Sequence, residues 1–283
     1  MSHSLSSPDR LILFQSAPAD PPLWLRRCLN ATRDWAAREG FSYLRIGDEI
    51  LELIPPWFRE KVGLRWPILC DLGRLILAEQ LLAEGASAVL WLDADCYPFA
   101  SESLGRQVRA LLEPDHPPHC FALELWVQPA PKDSRRLKLY RNACNALSFF
   151  RAGDPLLPFY RHCAERTIRL IEGPIAPQLI GPKLLSALRG PAQLPLTPAV
   201  GSASPLIVAS LAAGNGAALD RLQTALEQRG GQCAALNLCG SYLNQLRDGV
   251  PIDEALLLRA MDRLDVIGAQ YGGLGDKGMR DAR

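Results

Sequence analysis

Short apolar runs separated by helix-length stretches constrain this chain more than any other feature. Residues 11–16, 42–46 and 88–92 are each of strand length. Between them, residues 23–38 carry helical periodicity and meet Gly40 as a C-terminal cap. A short helical stretch broken at Pro55-Pro56 follows, and Pro67 opens a helix that runs to about residue 84. Strand, helix, strand, helix, strand is the order of an α/β domain with a mainly parallel sheet, because parallel neighbours need crossover connections. Ligands of such sheets gather at the carboxyl ends of the strands.

The third run, Ala88-Val89-Leu90-Trp91-Leu92, ends in two carboxylates one residue apart, Asp93 and Asp95. In an extended backbone, positions i and i+2 point to the same side, so the two converge on one cation if the strand continues. Oxygen ligands of this kind suit Mg²⁺ or Mn²⁺, and an ion held there can grip a diphosphate. The alternative is a strand end whose acids face solvent. Asp71 and Arg74, three apart on the preceding helix, share a face either as a cooperating pair or as a surface ion pair. Trp66, just before that helix, is placed to stack on a nucleobase or to pack as a rim or core tryptophan.

Beyond the motif, residues 104–112 read as a helix, 120–127 as a strand, 129–136 as a polar loop, 145–150 as a short strand and 155–171 as a helix. From residue 201 onward the pattern turns largely helical, near 205–213, 217–228 and 253–264, and Gly272-Gly273-Leu274-Gly275 suggests a mobile tail. The division expected is a domain over 1–200 and a helical extension over 201–283 packed on it. Asn237 and Ser241, four apart, are within reach of a metal or diphosphate.

Composition excludes more than it selects. With 31 basic and 30 acidic residues there is no electrostatic footprint for nucleic acid or an anionic membrane. No apolar run reaches the ~18 residues of a transmembrane helix, and residues 1–10 lack the apolar core of a signal peptide, so a cytoplasmic protein is expected. The 8 cysteines form no Cys-x-x-Cys pair and read as buried free thiols; Cys96 stands out because it follows Asp95. Of the 4 histidines, His3, His116, His119 and His162, only His116 and His119 lie in a candidate loop, at a spacing wrong for a helical metal pair.

Asp71-Leu72-Gly73-Arg74, an amphipathic helical stretch, Gly85 and Trp91-Leu92-Asp93-Ala94-Asp95 together resemble the glycosyltransferases with a sugar-binding DXD motif, which include capsular-polysaccharide and mannosyl transferases. The resemblance covers roughly residues 10–190, from Leu11 and Trp35 to Asn145-Ala146-Leu147 and Ile180-Gly181-Pro182. It departs where that family usually has Gly-Gly-x-Tyr before DXD; here Gly85 stands alone and the linker is longer. What the resemblance implies is a GT-A-like, Rossmann-type fold and a metal-dependent hexosyltransferase. The donor would be a nucleotide-diphosphate sugar and the acceptor a glycan or other hydroxyl, with peripheral association with a polysaccharide-synthesis system as a further implication. It assigns Asp93 and Asp95 to catalysis through Mn²⁺ or Mg²⁺, Arg74 to the donor's sugar or phosphate, and Asp71 to sugar hydroxyls. Asn145 would lie near the donor sugar, and the Gly181-Pro182 turn would offer backbone N–H groups. Two rivals stand beside it. One is a haloacid-dehalogenase-like phosphatase with Asp93 as nucleophile, disfavoured by the late position of the motif and the absence of an adjacent Asp-Asp pair. The other is a non-catalytic sugar-binding protein of the same fold.

Overall fold

The computed structural model describes residues 11–276 and 278. Strand β1 (Leu11–Ser16) leads through α1 (Leu23–Glu39) into β2 (Ser42–Ile46), which pairs parallel to it. Gly40 ends α1 at φ 74°, in the left-handed region where other side chains are strained. Helices α2 (Pro56–Val62) and α3 (Trp66–Ala83) follow, each with proline in its first turn, where no helical hydrogen bond is lost. Strand β3 (Ala88–Leu92) then pairs parallel to the other edge of β1.

The chain continues through β4 (Cys96–Pro98), α4 (Ser101–Leu112), β5 (His119–Ala130), β6 (Asp133–Arg151), α5 (Leu156–Leu170), α6 (Leu184–Leu188) and β7 (Leu196–Thr197). The main sheet has the order β2-β1-β3-β6-β5-β7; among the described residues only β6 opposes its other strands, so the sheet is mostly parallel. Both of its faces are covered, which is why the inner strands read as unbroken apolar runs. Leu11, Leu13, Leu90 and Leu92 enter one core, and Ile12, Phe14, Val89 and Trp91 the other.

Three expectations need correction here. Residues 129–136 are not a polar loop: β5 and β6 stay paired out to Ala130↔Asp133, and Pro131 and Lys132 make the turn. The ribbon tip is polar yet strand-paired, because beyond the core its side chains face solvent instead of an apolar layer.

The region after residue 200 is also not helical throughout. It contains β8 (Val200–Ser202), α7 (Pro205–Ala212), α8 (Ala217–Glu227), β9 (Ala235–Asn237), β10 (Gln245–Arg247), β11 (Val250–Ile252) and α9 (Glu254–Tyr271). The helices stand close to where periodicity placed them. The strands are three residues each, too short for alternation to show, and β9 joins β4 and β8 in a second sheet.

Gly272-Gly273-Leu274-Gly275 is tied down instead of forming a mobile tail: Leu274 is buried and exchanges two 2.8 Å backbone hydrogen bonds with Cys233. Its glycines supply positive φ (65°, 145° and 95°), not freedom. The readings of residues 1–10 and of His3 lie outside the described residues. Among the described residues, no helix is long and apolar enough to cross a membrane, and Cys28, Cys96, Cys120, Cys144 and Cys233 are buried free thiols.

Candidate active site at the end of the third strand

β3 stops at Leu92 and the chain turns at once, the Cys96 N–H donating to the Asp93 carbonyl at 3.0 Å. Asp93 and Asp95 therefore do not share a strand face through the pleat. The chain must bend here because β3 belongs to the main sheet and β4 to the second one, and the bend carries both carboxylates into one cleft. That cleft, about 620 Å³, brings Asp71, Arg74, Asn145 and Asn237 to the same two aspartates.

Arg74 organises the group. It is buried on α3, donating through Nη2 to Asp71 at 2.8 Å and through Nη1 to Asp93 at 2.9 Å and to the Asn145 carbonyl at 3.0 Å. Its guanidinium lies over the Trp91 ring, 4.5 Å from the centroid, and the Trp91 indole N–H donates to the same Asp93 oxygen at 2.7 Å. Nothing of a surface ion pair remains, since α3 is buried on most of its circumference. On the other Asp93 oxygen, the Asn237 amide donates at 3.1 Å. Asp95 accepts from the Gly240 N–H at 2.8 Å.

Asn145 donates to Asp71 at 2.8 Å. Gly181 closes over the pair so tightly that a Cβ there would lie 2.6 Å from an Asp71 oxygen and 2.7 Å from the Asn145 nitrogen. The Gly181-Pro182 segment is a kinked π turn, in which the Lys183 N–H is already used by the Gln178 carbonyl. Trp66 stays apart: it is nearly half exposed and does not line the cleft, whereas Pro67 beside it does.

Sequence reasoning missed several groups in and behind the cleft. Gln15, fully buried at the end of β1, donates to the Asp93 carbonyl at 3.0 Å and accepts from the Tyr43 hydroxyl at 3.0 Å. Glu124 and Trp126 line the cleft from β5, with Tyr242, Lys183 and Arg247. The alternation of Glu124, Trp126 and Gln128 with Leu125 and Val127 was the signal available for the β5 pair. A glutamine ending an apolar strand was the signal for Gln15.

Burial, more than the crowding of acids, sets the electrostatics. Burial, and then the charge of Asp93, push the Asp95 carboxyl up to about 6, against the Gly240 N–H and its own backbone N–H. Burial likewise raises Asp71 to about 6 with help from Asp93, while Arg74 and the Asn145 amide favour its charged form. Burial raises Glu124 as well, against hydrogen bonds from Asn142 and Ser202.

A cation suits this place. A carboxylate offers about four lone-pair sites. Arg74, Trp91 and Asn237 occupy three on Asp93, whereas Asp95 accepts from Gly240 and its own N–H, so Asp95 has more room. Among the described residues no cluster of three or more His, Cys, Asp or Glu forms a closed cage. One or two carboxylates with the remaining positions left to water and phosphate oxygens is the donor set of Mg²⁺ or Mn²⁺, not of structural zinc.

No family model matches the chain, and no curated protein matches it. Among solved structures it is similar to a glycosyltransferase involved in the glycosylation of the major capsid of PBCV-1, at 12% identity and a TM-score of 0.34, covering 57% of this chain and 66% of that one. It is also similar to mannose-1-phosphate geranyltransferase from Thermus thermophilus, at 12% identity and a TM-score of 0.31, covering 66% of this chain and 68% of that one.

Proposed function

We propose that this chain is a glycosyltransferase that moves a sugar from a nucleotide-diphosphate donor to a hydroxyl of a glycan or other acceptor, with Mn²⁺ or Mg²⁺ held by Asp95 and Asp93. The observation that carries the reading is the bend after β3, which delivers two carboxylates, both fixed by N–H donors, into a cleft of about 620 Å³ at the carboxyl end of the strand. Lys183 and Arg247 line the same cleft, so cationic groups for phosphate oxygens stand beside the acids.

Bound there, the metal would stabilise negative charge developing on the leaving diphosphate. The chain's own residues prepare the place for it. Arg74, Trp91 and Asn237 hold Asp93 in one orientation, and the Gly240 N–H does the same for Asp95. Such preorganisation means that little has to move when charge develops. Asn145 and Asp71, locked to each other beneath Gly181, form the rigid wall on which the donor sugar would rest. The phosphatase alternative asks Asp93 to attack phosphorus, but three N–H donors already draw on its oxygens, the opposite of an activated nucleophile.

A panel of nucleotide sugars screened for thermal stabilisation, with and without Mn²⁺, tests donor and metal together. Asp95→Ala should leave the fold intact and lower release of nucleoside diphosphate by ~100-fold or more, the scale of a lost electrostatic stabiliser. Full activity in EDTA would sink the metal assignment, and an aspartyl-phosphate at Asp93 would overturn the class.

A further inference from the structure

We propose that the solvent-facing side of the β5–β6 ribbon is a binding track for an anionic glycan, which serves as the acceptor; the acceptor role rests on the transferase reading, the binding does not. The register places Glu124 opposite Asn142, Trp126 opposite Tyr140 and Gln128 opposite Lys138. Because side chains alternate along a strand, these six share one face. Five of them line a cleft of about 460 Å³, and this cleft meets the carboxylate cleft at Glu124, Trp126 and Tyr242.

The chemistry of the face is that of sugar recognition. Amide groups at Gln128 and Asn142 match hydroxyls, and rings at Trp126, Tyr140 and Tyr242 offer flat apolar surfaces to C–H faces. Tyr242 packs against Trp126 with centroids 6.0 Å apart, so these two rings adjoin. From Glu124 to Gln128 the track spans about 14 Å at 3.4 Å per residue, room for two or three sugar units.

Charge gives the track a direction. At its inner end Glu124, Asp93 and Asp95 stand among the cations Lys183 and Arg247; at its outer end Lys138 lies over the Tyr140 ring at 4.4 Å, followed by Lys132, Arg135 and Arg136 on the exposed tip. The one acid at the tip, Asp133, is taken by Arg135, and among the described residues no carboxylate pairs with Lys132, Arg136 or Lys138. An acceptor with a charged group several sugars from its reacting hydroxyl is drawn in the productive orientation. The outer end is cationic while the inner end mixes both signs, so the pattern suits a glycan whose charge lies away from its reacting hydroxyl.

The test is fluorescence anisotropy without donor, using a uronic-acid hexasaccharide, a phosphorylated mannose pentasaccharide, a neutral maltohexaose and a single-stranded DNA oligomer. At least one charged sugar should bind tenfold or more tightly than the neutral one, and more weakly as salt rises. Arg136→Glu/Lys138→Glu should abolish that tenfold preference, and Trp126→Ala should weaken charged and neutral sugars alike. Equal binding of charged and neutral sugars, tighter binding of the DNA, or indifference to the charge reversal would overturn the track. Stabilisation of the unaltered protein by a nucleotide sugar tests the transferase reading by itself, so the two fail separately.

Discussion

Arg74 holds two carboxylates in place with one planar group. Its fork spans Asp71 and Asp93 while its face lies on Trp91, a combination that a lysine's point charge does not reproduce. Arg74→Lys should therefore cost about 3 kcal/mol in urea unfolding, the scale of a broken buried pair. An unchanged midpoint would show that one contact suffices. The three-residue spacing of Asp71 and Arg74 announced a shared face. Their burial follows from α3 being enclosed on most of its circumference, which their spacing alone did not show.

Asp71 carries a signature in pH. An unfolded aspartate titrates near 3.9, whereas the buried one titrates at about 6. Between about pH 4 and 6 the folded state thus keeps a proton that the unfolded state has lost. This contribution to stability is fully present below about pH 4 and is lost as pH rises through about 6, some 3 kcal/mol in all. Asp71→Asn removes that slope, so its stability relative to the unaltered protein should climb across this range and level off near pH 7. Denaturant titrations in EDTA at four pH values check it, and a constant difference would mean that Asp71 is charged throughout.

At the level of elements, the alternation of apolar runs with helical stretches was enough to place β1, α1, β2, α3 and β3, since each is long relative to its period. The β5–β6 ribbon was read short because its outer half has no core to face. The kinked turn at Leu179–Lys183 was legible only as Gly181-Pro182; its packing against two polar side chains was not. An alanine Cβ at Gly181 would meet the oxygen and nitrogen beneath it. Gly181→Ala should lower stability by roughly 1–3 kcal/mol, as overpacking does, and should weaken the thermal shift given by a nucleotide sugar. A fully retained shift would separate this turn from the donor.

Over the whole molecule, the site is built from pieces that sequence inspection could not join. Asp93 and Asp95 were visible because a strand ends there, whereas Gln15, Glu124 and Gly240 acquire meaning only once the two sheets are in place. Asn237 and Gly240 reach the aspartates across 144 and 145 residues of chain, and the β4–β9 pairing that brings them is a contact of the same range. Contacts this distant form late and slow a folding reaction. During synthesis, a chain still on the ribosome has made its two aspartates long before it has made the amide and the N–H that restrain them. A nascent fragment ending before residue 237 thus holds Asp93 through Arg74 and Trp91 alone and leaves Asp95 without the Gly240 N–H.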